Sequence, residues 1–351
     1  MDNQEQKHVR RVRYKGTHPK TYQEKYKELQ PEKYKDTVEK VIQKGSTPAG
    51  MHISICVNEI LEFLQIQPGQ KGLDATLGYG GHTQAMLECL KSEGHLFALD
   101  VDPIESEKTK ERLAKLGYGP EILTIRQMNF ADIDKLVAET GPFDFMMADL
   151  GVSSMQIDNP DRGFSYKTEG PLDLRLNPAK GETAAQRLKT ITLEELQGML
   201  LENADEPYAE EIAKAIVTTI KRGGHIDTTT DLRLVIEKAL NFLPSAKAET
   251  KEAVKKSCQR TFQALRIDVN SEFEVLYDFL EKLPDALAPG GRVAILTFHS
   301  GEDRLVKKSF KQFRNAGIYS EISTDVIRPS AEECNRNPRA RSTKMRWAVR
   351  A

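Results

Sequence analysis

No apolar run in these 351 residues approaches the roughly 20 that a membrane-spanning helix needs, so no membrane segment is expected. The N-terminus is rich in Lys and Arg but lacks an apolar core and a small-residue cleavage site, which argues against a secretory signal. Cysteine is scarce. Cys56, Cys89, Cys258 and Cys334 stand alone, with no C-x-x-C pair and no His at ligand spacing. That pattern argues against a zinc site or a disulfide framework, so no metal is expected and the cytoplasm is the expected address. There is no internal repeat, no low-complexity segment and no Pro-Pro pair.

Charge is present in quantity but unevenly placed. The formal net charge is −1, from 51 Lys and Arg against 52 Asp and Glu. Residues 1–45 hold twelve of the cations and seven acids, a net of +5, which leaves −6 for the other 306 residues. A basic arm on a mildly acidic body suits a polyanionic partner. Tyr14, Tyr22, Tyr26 and Tyr34 lie in that arm, and ring faces among cations suit stacking on unpaired bases. A solvated helical hairpin explains the same composition equally well.

Past residue 52 the pattern alternates between amphipathic helices and apolar strands. Helices are expected over 53–64 and 82–91, and strands over 72–75, 95–99, 122–127 and 143–148. Asp102-Pro103, with Glu105 three residues after the cap, opens a helix, and this N-cap role accounts for Asp102 fully. This spacing implies a parallel, doubly wound α/β sheet. Residues 150–182 read as a long polar loop, too long to be idle in a compact domain. Helices follow: Thr192 and Glu195 form a capping box, and Leu232, Val235, Ile236, Ala239 and Leu240 make a buried stripe. Phe273, Leu276, Tyr277 and Leu280 do the same in a later helix. The sheet resumes at 292–298, and 318–327 with 343–349 form a closing antiparallel pair. Three parts are expected: a basic extension at 1–50, an α/β domain at 51–157 and 285–351, and a helical insertion at 158–284 between the fourth and fifth strands.

The candidate site gathers at the strand ends. Strand one runs into D-A-T-L-G-Y-G-G-H (residues 74–82), where Gly78 and Gly80 allow a tight turn and a close backbone approach to a ligand. A nucleotide is implied. A dinucleotide fingerprint needs Gly or Ala three residues after Gly80, and Thr83 stands there, which weakens a dehydrogenase reading. Asp100, at the tip of strand two, can accept hydrogen bonds from ribose hydroxyls. Phe130 lies where an adenine would rest, although a core role fits it nearly as well. Asp149, at the tip of strand four, faces both cofactor and substrate space. Together these features favour S-adenosyl-L-methionine over NAD.

Seven segments then match one family in order: D-A-T-L-G-Y-G-G-H (74–82), D-L-G-V-S-S-M-Q-I-D (149–158), R-G-F-S-Y (162–166), G-P-L-D-L-R-L (170–176), F-Q-A-L-R-I-D-V-N (262–270), F-H-S-G-E-D-R (298–304) and N-P-R-A-R-S-T-K-M-R (337–346). The chain resembles the bacterial 16S ribosomal RNA (cytosine-N4)-methyltransferases, and the likeness covers residues 52–350. The resemblance implies a Rossmann-like class I methyltransferase fold with a helical insertion. It also implies methylation of a cytidine N4 in the decoding region of 16S rRNA within the small ribosomal subunit. Carried over by position, the cofactor residues are Gly80, Gly81, His82, Asp100, Phe130, Asp149 and Gln156. Three departures stand out: Gly301 replaces a family leucine, H-I-S-I-C-V-N-E around His52 fits loosely, and shorter members lack the arm.

The N4 amine of cytosine is a poor nucleophile because its lone pair is delocalised, and an enzyme helps by accepting its hydrogen bonds and holding it in line. Asp149 suits that task, but the family role implied for it is cofactor contact, so both assignments stay open. His299, after strand five, is a candidate for taking up the lost proton. Arg162, Arg175, Arg304, Arg339 and Arg341 are candidates for RNA phosphates, while the alternative reading has Glu302, Asp303 and Arg304 simply capping a helix and pairing with one another. Two other readings remain open: a non-catalytic RNA-binding assembly factor on the same fold, and a dehydrogenase.

Overall fold

The computed structural model describes residues 54–244 and 248–351. The basic arm, its tyrosines and the segment around His52 lie outside the described residues.

Seven strands form one sheet in the order β3-β2-β1-β4-β5-β7-β6. They are β1 (Lys71–Asp74), β2 (His95–Asp100), β3 (Leu123–Gln127), β4 (Phe143–Asp149), β5 (Leu287–Thr297), β6 (Tyr319–Ile322) and β7 (Lys344–Arg350). The first five pair in parallel and β7 is antiparallel to both β5 and β6, as expected from the sequence. Side-chain alternation sorts the two faces: Met146 and Ala148 join one core, while Phe145 and Met147 join the other. Every strand in the middle is therefore apolar on both sides, which is why they read as continuous apolar runs. The chain leaves β1 toward β2 and β3, then returns to place β4 on the other side of β1. That reversal opens a crevice between the carboxyl ends of β1 and β4.

Helices α1 (Val57–Leu64), α2 (Gly81–Leu90) and α3 (Pro103–Lys115) cover one face through Ile60, Met86 and Leu113. The opposite face is covered by α4 (Ile133–Thr140), α11 (Glu272–Ala286) and α12 (Ser300–Asn315), through Leu136, Phe279 and Phe310. Asp102 caps α3 as expected, its Oδ1 accepting from the Ile104 and Glu105 amides.

The segment after β4 is less idle than a loop. It contains α5 (Ser154–Asp158), closed by a Ser153–Gln156 capping box, and a 3-10 turn at Pro160–Arg162. Five helices follow: α6 (Ala184–Thr190), α7 (Leu193–Ala204), α8 (Ala209–Lys221), α9 (Thr229–Ala239) and α10 (Ala248–Val269). They bury a core of their own that includes Leu196, Ile212, Leu232, Ile236 and Leu265. Each fully buried Leu or Ile there contributes about 1.5–3 kcal/mol. The expected Thr192–Glu195 box is present, and Val235 and Ala239 flank the buried Leu232, Ile236 and Leu240.

Two expectations need correction. Tyr277 is 55% exposed, and the buried stripe of α11 is instead Leu276, Phe279, Leu280 and Leu283. That stripe belongs to the sheet's core, so α11 packs under the sheet although the sequence reading carried the insertion to residue 284. The helical pattern alone does not reveal which core a stripe joins.

Candidate active site at the carboxyl edge of the sheet

Each acid-tipped strand delivers a carboxylate to the same edge. Asp74, at the end of β1, is fully buried and spends itself on structure: it accepts from the Thr83 hydroxyl at 2.6 Å and the Thr76 amide at 3.0 Å. The chain then turns through Gly78 and Gly80, both in the left-handed region with φ of 49° and 75°. Gly80 is required twice over. Besides its φ, a Cβ there would lie 2.7 Å from Thr109 Cγ2. Helix α3 holds this turn from behind: the Thr109 hydroxyl donates to the Gly78 carbonyl at 2.7 Å, and Arg112 donates to the Tyr79 carbonyl while its guanidinium lies over the Tyr79 ring.

Asp100, at the tip of β2, faces the turn. Its Oδ2 accepts from the Gly78 amide and its Oδ1 from the Asp102 amide, both at 2.8 Å. Each oxygen retains a second lone pair for a ligand hydroxyl. Burial pushes Asp100 up to about 6, against the two amides that pull it down. Phe130, in the turn after β3, is half-buried and packs at a steep angle against Phe279, with ring centroids 5.0 Å apart.

Asp149 ends β4, beside both β1 and Leu296 of β5. Its Oδ2 is 3.6 Å from His82 Nδ1, and its Oδ1 is buried with no hydrogen-bond partner among the described residues. Burial raises Asp149 to about 6, partly offset by His82. The His82 ring is fixed from its other side, where Nε2 lies 2.9 Å from the Ile55 carbonyl and so carries the proton. Gly81 opens α2 next to it.

His299 follows β5 at the start of α12. Its Nε2 lies 3.2 Å from Glu302 Oε1 without hydrogen-bond alignment, so both ring nitrogens are buried and unbonded. Burial pushes Glu302 up, but His299, the Phe298 amide and Arg266 together leave it below the usual carboxylate range. Arg266 itself grips Glu272 through two bonds of 2.7 and 2.8 Å. Glu272, His299 and Glu302 bring ligand atoms within 4.8 Å of one another, with both oxygens of Glu272 hydrogen-bonded to the Arg266 guanidinium. Gly301 fits closely here too: a Cβ would meet Phe273 Cζ at 2.5 Å, so the Phe273 ring occupies the space of a larger residue.

The phosphate-binding candidates divide. Arg162 is corrected outright: it is 6% exposed, donates to Asp102 Oδ2 at 2.7 Å, and reaches the Arg175 and Leu176 carbonyls at 3.0 and 2.9 Å. Arg175 is likewise turned inward, doubly bonded to Asp173 and donating to the Gly181 carbonyl. Arg339 is exposed but pairs with Asp158 at 2.9 Å. Arg304 and Arg341 are exposed and make no ion pair among the described residues. Glu302, Asp303 and Arg304 do not pair with one another; Asp303 instead receives Lys344 and Arg346 at 2.9 and 2.6 Å.

Asp102 is also more than a cap. Its Oδ2 accepts from Gln156 Nε2 at 2.8 Å as well as from Arg162, inside a fully buried site. The side-chain oxygen of Gln156 closes the capping box on Ser153. Sequence reasoning missed this node because an N-cap uses one carboxylate oxygen and leaves the other unassigned. Its only advance signal was an Arg and a Gln in a polar segment with no other buried partner in sight.

No helix among the described residues is long and apolar enough to cross a membrane. The pattern of the MraW methylase family matches residues 49–351. Ribosomal RNA small subunit methyltransferase H 1 of Lachnoclostridium phytofermentans is 77% identical over 350 residues, covering 100% of this chain and 95% of that protein. Ribosomal RNA small subunit methyltransferase H 2 of Alkaliphilus metalliredigens is 68% identical over 351 residues and covers 100% of both chains. The H 1 protein of Agathobacter rectalis is 68% identical over 349 residues, covering 99% of each. With the match spanning the sheet, the crevice and the insertion, the chain belongs to the MraW methylase family.

Proposed function

We propose that this chain transfers a methyl group from S-adenosyl-L-methionine to the exocyclic N4 of a cytidine in the decoding region of 16S rRNA, acting on the small ribosomal subunit. One observation in the site carries the reading: Asp149, at the carboxyl end of β4 beside Leu296 of β5, holds in Oδ1 a buried acceptor with no hydrogen-bond partner among the described residues. A lone buried acceptor is costly unless a ligand supplies its donor.

The residues at the edge fit the cofactor. Asp100 has two free lone pairs for ribose hydroxyls, and the left-handed turn at Gly78 and Gly80 presents bare backbone to the ligand. Phe130 is the aromatic ring proposed to meet the adenine, and Gly81 and His82, at the start of α2, are proposed to contact the cofactor beside the Gly turn. Gln156 supports Asp100 indirectly, through the Asp102 node. S-adenosylmethionine supplies an electrophilic methyl on a cationic sulfur.

The chain's own part in the transfer is positioning and charge. Asp149 Oδ1 accepts an N–H of the target amine, which localises the nitrogen lone pair and orients it. His82 Nδ1 lies beside the other oxygen of Asp149, at 3.6 Å. His299 follows β5 at the same edge, and the unprotonated nitrogen of its neutral ring would take the proton released after transfer. A fixed near-attack geometry of this kind supplies up to roughly 7–11 kcal/mol in favourable cases. The base must leave any stack to enter.

Small subunits from a strain lacking this gene, incubated with the protein and methyl-labelled S-adenosylmethionine, test the proposal. Label in N4-methylcytidine supports it. Cofactor binding with no label in RNA instead makes the chain an assembly factor on a methylase fold.

A further inference from the structure

Helix α12 carries a cationic ridge that the site does not use. Arg304, Lys307, Lys308, Lys311 and Arg314 are all exposed, and none makes an ion pair among the described residues. At 3.6 residues per turn they fall within an arc of about 120°, and the ridge is about 15 Å long. The opposite face of the same helix is apolar: Val306 and Phe310 are buried in the sheet's core, with Leu305 and Phe313 packed against it. The only acids in the helix are Glu302 and Asp303, and both are engaged: Glu302 accepts from the Phe298 amide, and Asp303 pairs with Lys344 and Arg346. Five unpaired cations on one face run against the net acidity of the body.

Position gives the ridge its meaning. α12 starts just after its N-cap His299, on the edge where Leu296 lies beside Asp149, and leads away from that edge. Next to it, α11 exposes Glu274, Asp278, Glu281 and Asp285. Those acids repel a polyanion from one side and confine it to the ridge.

We infer that this face of α12 is the track on which the rRNA strand leaving the target cytidine lays its phosphates. The inference rests on the proposed methyl transfer to small-subunit rRNA. The partner is the sugar-phosphate backbone, recognised by charge and without base reading, because the ridge holds only flexible cations and no aromatic side chain.

The test is a triple variant, Lys307→Gln/Lys308→Gln/Lys311→Gln, compared with wild type and with the three Lys→Arg changes that keep the charge. Filter binding to small subunits and to naked 16S rRNA is measured from 0.05 to 0.3 M salt, alongside methyl transfer. Each lost phosphate contact makes the log–log salt slope shallower by about 0.7–0.9. The Gln variant is expected to bind both RNAs roughly tenfold or more weakly at 0.1 M salt, with a raised KM, unchanged kcat and unchanged cofactor affinity. The Arg variant restores binding. Unchanged binding and salt slope in the Gln variant overturn the inference. So does weakening with whole subunits but not with naked rRNA, which assigns the ridge to a ribosomal protein. If wild type binds subunits but transfers no methyl group, the functional reading fails while the binding series still decides the ridge.

Discussion

Asp102 and Arg162 lie 60 residues apart in sequence and meet at 2.7 Å with both side chains buried, joining the start of α3 to the segment that leads into the helical insertion. Because the same Asp102 donates its backbone amide to Asp100, the pair ties the insertion to a cofactor-facing carboxylate. Removing one partner leaves an uncompensated buried charge. Arg162→Met and Asp102→Ala are each expected to cost about 3–5 kcal/mol, read as a lowered denaturant midpoint. Arg162→Lys is expected to fall nearly as far, since an ammonium cannot replace the fork that spans Asp102 and two carbonyls.

Much of this was legible in the sequence, and the exceptions share a cause. The strands, the Asp102-Pro103 helix start and the Thr192–Glu195 box are local signals, and the structure has all of them. Asp100 and Asp149 fall at strand tips, where topology alone places them at one edge. Arg162, Tyr277 and the second oxygen of Asp102 were misread because their surroundings come from distant chain. An Arg in a polar segment looks solvated until a carboxylate 60 residues away claims it. The unpartnered Oδ1 of Asp149 has no sequence signature at all.

Gly80→Ala is expected to weaken cofactor binding at least tenfold, through the left-handed φ and the collision with Thr109 Cγ2. Thr109→Ser removes that methyl while keeping the hydroxyl that binds the Gly78 carbonyl. The double variant should therefore recover part of the loss in a calorimetric titration. No recovery would show that φ alone, and not the contact with α3, excludes a side chain.

Asp100 and Asp149 are both raised to about 6, which gives pH two opposite effects. Below pH 6 they protonate and lose their capacity as anionic acceptors, so cofactor affinity should fall between pH 7 and 5 through Asp100, and methyl transfer at saturating cofactor should slow through Asp149. For stability the sign reverses. An unfolded Asp titrates near 3.9, so between about pH 4 and 6 the folded state holds more protons, and stability from these two groups grows as pH falls through 6. The gain is at most about 3 kcal/mol for each group. Thermal melts of the free protein at pH 7 and 5.5, with wild type and Asp100→Asn/Asp149→Asn, isolate it as the part the variant lacks.

Gly301→Leu restores the residue expected from the family resemblance and should destabilise this chain, because Phe273 already fills the space. A cost of about 1–3 kcal/mol is expected for such overpacking, relieved by adding Phe273→Ala. Equal melting temperatures for the single variant and wild type would mean that the ring moves aside freely.

The central claim is that Asp149 Oδ1 accepts the target amine. Single-turnover transfer of labelled methyl to small subunits, at saturating cofactor and with nucleosides resolved by mass spectrometry, tests it directly. Wild type should place the label in N4-methylcytidine, and Asp149→Asn should slow that step by roughly 10²–10⁴ even when cofactor saturates. A variant that regains the wild-type rate once cofactor is saturating would contradict the claim and make Asp149 a cofactor ligand alone.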